Sequence, residues 1–155
     1  MQKHRTGSSG LFLMELLLSI LMFAIASAIC LQIFARAHSL SQEAAALDFG
    51  TNLCVSAAEV LSACESSDET EDLLTGHISG LTVSDDGSLA AYYDKELTLL
   101  SDDGSQAAYR LQIIPDDSEA DTVAADIRFD DLTGETPSEI YSLSARHYVR
   151  RDRYE

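Results

Sequence analysis

Gly10-Leu11-Phe12-Leu13-Met14-Glu15-Leu16-Leu17-Leu18-Ser19-Ile20 opens a run that continues through Met22-Phe23-Ala24-Ile25 to Ile33-Phe34, with no Pro and no Gly after the first residue. From Leu11 to Phe34 the only charged side chain among 24 residues is Glu15. At about 1.5 Å per residue a helix over this stretch reaches roughly 36 Å, enough to cross a bilayer with some tilt. Everything else in the chain is arranged around that segment.

Before it stands MQKHRTGSSG, residues 1–10, short, polar and basic through Lys3, His4 and Arg5. It suits an extended leader that an enzyme can reach, not a fold element. After residue 37 there are 25 acidic residues against 7 basic ones. The basic end is expected to stay in the cytoplasm and the acidic part to lie outside. With 155 residues and a formal charge of -16, the chain holds one modest domain. That acidic balance argues against a phosphate backbone, which must be met by clustered Lys and Arg, so no direct nucleic-acid binding is expected.

The helical pattern does not stop at the end of the apolar run. Gly50 is the one interruption before Cys64, which predicts a single helix of about 50 residues. Residues 11–38 form its transmembrane half and 39–64 its amphipathic half. In the second half Leu40, Leu47, Cys54 and Leu61 recur every seven positions, with Ala44, Ala57, Ala58 and Val60 beside them. That face needs a cover. Residues 65–87, beginning ESSDETED, read as an acidic connecting loop. Residues 88–149 read as the cover, an antiparallel sheet of short strands with period-two alternation. Tyr109, Leu111 and Ile113 alternate with Arg110 and Gln112, then Ala125, Ile127 and Phe129 with Asp126 and Arg128, and Tyr141, Leu143 and Ala145 with Ser142 and Ser144. The expected class is α+β, with Leu47, Cys54, Ala57 and Leu61 packed against Tyr109, Leu111, Ile127 and Leu143. Ser84-Asp85-Asp86-Gly87-Ser88 and Ser101-Asp102-Asp103-Gly104-Ser105, each with Ala-Ala-Tyr after it, read as two copies of a turn that launches a strand. Asp94 and Lys95 are expected to turn Tyr92-Tyr93 back into Leu97–Leu100. Residues 150–155 form a basic tail.

A Gly immediately before an apolar first residue, an acid five positions after it, a basic leader and an unbroken helix together resemble the processing site of type IV prepilins and of the related pseudopilins of type II secretion and competence systems. The resemblance covers the leader and first helix closely, and the remainder as a plan of long helix, connecting loop and antiparallel sheet. It implies a membrane-embedded aspartic prepilin peptidase and methyltransferase that cuts between Gly10 and Leu11 and methylates the new amino group of Leu11. It further implies, as partners, other pilin or pseudopilin subunits, an inner-membrane assembly platform and membrane lipid, and an extracytoplasmic filament as destination. Glu15 then becomes the assembly residue. A carboxylate in a bilayer costs a few kcal/mol, and the Leu11 ammonium of a neighbour in a staggered stack is its natural partner. Leu11 stands where the family more commonly has Phe, and the first helix lacks the Pro that many major pilins carry. No C-terminal cysteine pair is evident, and these departures point to a minor pilin or a pseudopilin.

Two other readings of the N-terminus stay open. Ala26-Ser27-Ala28 offers the small-x-small pattern of signal peptidase, which would release a secreted protein cut after Ala28. The segment could also remain uncleaved, as the single-pass anchor of a binding module. No enzyme and no cofactor are expected. There is no nucleophile elbow or phosphate loop, and His4, His38, His77 and His147 lack ligand spacing. Asp116, Asp117, Glu119 and Asp121 could gather oxygen ligands for Ca²⁺, as in some pseudopilins, but they lack EF-hand spacing and are expected to be a solvated turn. Cys54 and Cys64, ten residues apart on one helix, lie about 15 Å apart, too far for a disulfide. They and Cys30 are expected to be small apolar fillers. Arg146, Arg150, Arg151 and Arg153 are expected to be solvated, or to meet acidic groups of a neighbouring subunit.

Overall fold

The computed structural model describes residues 8–64, 66, 69–84, 86–101, 104–116 and 122–148. Leader residues 1–7, Asp117, Glu119 and Asp121 of the acidic run, and the tail 150–155 lie outside them. Helix α1 spans Ser8–Ala63, so the unbroken helix expected from the absence of Pro is present. It starts earlier than the leader reading allows, because residues 8–10 are already helical. A formed helix over the apolar run can propagate backward at one hydrogen bond per residue, which offsets the roughly 1 kcal/mol that Gly10 costs relative to Ala.

The chain divides into two compact units, Met1–Glu43 and Ala44–Glu155. In the first, the described residues form helix alone and nearly every side chain is exposed. The second unit is an α+β domain in which residues 44–63 of α1 pack with a second helix, α2 (Thr70–His77), on a five-stranded antiparallel sheet. The strands are β1 (Thr82–Val83), β2 (Leu89–Tyr93), β3 (Tyr109–Asp116), β4 (Thr122–Asp131) and β5 (Ser138–Tyr148), in that spatial order.

The alternation read in the sequence is the alternation of burial. Leu111 and Ile113 of β3 and Ala125, Ile127 and Phe129 of β4 point into the core, and Tyr141, Leu143 and Ala145 of β5 line its half-buried margin. Leu111 pairs with Phe129, and Ile127 with Leu143. Burying each such side chain fully contributes about 1.5–3 kcal/mol.

The helix face differs from the seven-residue expectation. Cys54, Ala57 and Leu61 are buried as expected, whereas Leu47 is 45% and Leu40 67% exposed. The buried positions are Ala46, Gly50, Cys54, Ala57, Leu61 and Cys64, which follow the 3.6-residue period of a straight helix. A seven-residue repeat drifts about 20° per heptad around such a helix and leaves the face within two repeats. Gly50 belongs to the face. A Cβ there would stand 2.7 Å from Phe129 Cγ and closer still to its Cδ1, so the missing side chain is what lets the helix approach the ring.

The segment read as an acidic loop, residues 65–87, contains α2 and β1. Glu71 and Asp72 sit in the first turn of α2 and His77 in the last, the signs the helix dipole favours, while Leu74 is fully buried. The first Ser-Asp-Asp-Gly copy behaves as expected. Gly87 has φ 78°, Ser84 and Ser88 close the turn, and β2 begins at Leu89. The Asp86 carboxylate accepts from the Ser88 amide and hydroxyl, and those bonds lower its pKa. The second copy also turns, with Gly104 at φ 82°, but β3 begins only at Tyr109. The chain after Asp94 does return toward β2, through the Leu100 amide to the Tyr92 carbonyl. Leu97–Leu100 forms no strand, only the single bridge between Tyr93 and Leu99, because Leu97 at φ 61° breaks the extended run.

Candidate functional site

Among the described residues one helix, near the N-terminus, is long and apolar enough to cross a membrane. Over the run Leu11–Phe34 its apolar residues show no preferred side. Leu11, Phe12, Met14, Leu17 and Phe23 are each more than 60% exposed, and a helix apolar all round needs an apolar surrounding. The two hydroxyls of the apolar run Leu11–Phe34 are consistent with that. Ser19 Oγ donates to the Glu15 carbonyl at 2.9 Å and Ser27 Oγ to the Phe23 carbonyl at 2.8 Å, so neither leaves a donor unsatisfied in hydrocarbon.

Gly10, Leu11 and Glu15 lie on the first turns of α1. A Cβ at Gly10 would meet nothing within 4 Å, so the fold of the single chain does not require glycine there. Glu15 is exposed, and among the described residues no ion pair involves it; the two present are Arg110 with Asp130 and Arg146 with Asp116. The three residues therefore form a short, exposed, apolar turn with one acid, whose chemistry depends on whatever surrounds it. Ala26-Ser27-Ala28 lies in the interior of α1.

Of the acidic run, Asp116 ends β3 and its carboxylate stands 3.9 Å from Arg146. Asp117, Glu119 and Asp121 are outside the described residues. Among the described residues no group of three or more His, Cys, Asp or Glu side chains could hold a metal ion. Cys54 and Cys64 are buried and free, and Cys30 is free and exposed. The Cys64 thiol donates to the Val60 carbonyl at 3.3 Å, and burial raises its pKa.

Two features escape a reading of the sequence. Arg110 and Asp130, cross-strand partners on β3 and β4, form a 2.7 Å ion pair beside the bulge at Phe129/Asp130. A groove between the end of α1 and α2 is lined by Ser56, Glu59, Val60, Ala63, Leu73, His77 and Ile78. Its α1 residues lie off the buried face, so periodicity gives no sign of it. Leu73-Leu74 amid acids was the one available signal. No family model, curated protein or solved structure matches the chain.

Proposed function

We propose that this protein is a pilin-like structural subunit, made as a precursor, anchored by α1, cut between Gly10 and Leu11 by a prepilin peptidase, and assembled through α1 into a type IV pilus or a type II secretion or competence pseudopilus. The observation that carries the reading is the pairing of Gly10 and Glu15 on the exposed first turns of an uninterrupted helix whose far end packs on an antiparallel sheet. Glu15 is the one charge in the apolar run Leu11–Phe34 of α1 and lacks an ion-pair partner among the described residues. A neighbour's Leu11 ammonium would remove two unpaired charges from an apolar bundle at once. Cleavage also removes Lys3 and Arg5, which are costly to draw through hydrocarbon, and so licenses extraction from the membrane. The domain beyond α1 is then extracytoplasmic and the leader cytoplasmic.

Mass spectrometry of the mature N-terminus tests the proposal. A start at methylated Leu11 supports it, a start at Ile29 means signal-peptidase secretion, and a start at Met1 means an uncleaved anchor. Gly10→Val is expected to stay in the membrane fraction at precursor mass, since the peptidase must then accommodate a side chain where only hydrogen stood. Normal processing of that variant removes the prepilin reading.

A further inference from the structure

The groove between the end of α1 and α2 has a volume of about 440 Å³. The buried or half-buried Val60, Leu73 and Ile78 make its floor apolar, and the exposed Glu59 and His77 form its rim. His77 Nδ1 lies 2.9 Å from the Leu73 carbonyl, so in the neutral ring it donates there and Nε2 is left as an acceptor. Among the described residues Glu59 has no ion pair. The rim therefore presents acceptors and a negative charge above an apolar floor, which suits an apolar side chain flanked by a cation.

This chain carries such a surface on α1. Ile33, Arg36 and Leu40 follow one another at spacings of three and four, which places them on one side of the helix. Ile33 is 62% and Leu40 67% exposed. Arg36 is the one Lys or Arg between Ser8 and Ala63, and no ion pair engages it among the described residues. A chain with formal charge -16 repels its own copies, so association is favoured where a base of one meets an acid of the next.

We propose that the groove receives the Ile33–Arg36–Leu40 side of α1 from a second copy of this chain, with aliphatic side chains on the floor and Arg36 against Glu59. The mode is a helix laid in an apolar groove. Because Arg36 and Glu59 are different positions on α1, the two copies must be offset along the helix, so the contact rests on the stacked assembly proposed above and is absent from unassembled chains.

The test uses full-length chains in a Cys30→Ser background, with Leu40→Cys in one copy and Ser56→Cys in a co-expressed copy, oxidised in the assembled fraction with copper phenanthroline. A mixed disulfide is expected for this pair and not for Leu40→Cys with Val55→Cys, since Val55 is outside the groove lining. Adding Glu59→Lys should lower the yield about tenfold by setting like charges together, and adding Arg36→Glu as well should restore it. A Leu40–Ser56 yield no higher than the Val55 control, or one untouched by Glu59→Lys, overturns the contact. The mature N-terminus is read from the same sample. A Leu11 start without the cross-link overturns the contact alone and leaves the pilin reading standing, whereas a Met1 start without the cross-link overturns both.

Discussion

Replacing Gly50 with Ala should destabilise the domain, although the same change in an exposed helix stabilises it. Ala is favoured over Gly by about 1 kcal/mol in a helix interior. Here the new Cβ would stand 2.7 Å from Phe129 Cγ, 3.0 Å from its Cε1 and closer still to Cδ1, and the ring has nowhere to retreat. Phe129 is fully buried, stacked on Tyr109 at 5.7 Å between centroids and edged by Phe49 at 6.1 Å. Overpacking of this kind costs about 1–3 kcal/mol. Against the propensity gain, the net loss is about 1 kcal/mol, or about 5 °C in Tm. The chain contains no Trp, so the assay is thermal unfolding of full-length protein followed by near-ultraviolet tyrosine circular dichroism, with Tyr93 and Tyr109 both beside Phe129. In a Phe129→Leu background the Gly50→Ala penalty should shrink, giving a coupling energy of opposite sign to the clash. An equal or higher Tm for Gly50→Ala would refute the idea that glycine is there to admit the ring.

Leu61→Ala removes a side chain only 1% exposed between helix and sheet and should cost about 2–5 kcal/mol, measured by urea unfolding. Cys64 should resist iodoacetamide at pH 8 in the folded protein and react once unfolded. Burial raises its folded pKa, so less of it is the reactive thiolate at pH 8 than in the unfolded chain, and fast labelling of native Cys64 at pH 8 would contradict this. Glu15→Leu should insert at least as well as wild type and still be cleaved, yet be depleted from purified filaments. Equal incorporation, measured by pull-down, would reduce Glu15 to a residue that merely starts a helix.

The strands were legible because a two-residue period and one buried face leave little freedom. Tyr109, Leu111 and Ile113 could not exchange faces with Arg110 and Gln112 without placing charge in the core. The helix was legible in extent and misread in phase, since Leu40 and Leu47 look like the same stripe as Leu61 until the 3.6-residue period is carried across three repeats. Helix α2 was hidden by its composition, for acids on its exposed side outweigh the buried Thr70 and Leu74. Leu97 needed a positive φ that no sequence rule assigns to leucine. At Gly10, Leu11 and Glu15 the sequence already holds most of what a single chain can reveal, because their expected partners, a peptidase and a neighbouring helix, are other molecules.

Each strand of the sheet pairs only with its neighbours in sequence, from β1 through β5, and this bears on the order in which the domain can form. Three of the four hairpins close loops of five or six residues and only β2–β3 closes one of 15, so the entropy lost before the first cross-strand contacts is small for most of the sheet, and local pairing favours rapid folding. The one distant pairing is between the sheet and residues 44–63 of α1, and that helix is synthesised first. As each hairpin emerges it finds its predecessor already beside it and an apolar helix face waiting. Half-made sheet thus spends little time with an open edge, the condition under which chains of this class pair with the wrong partner.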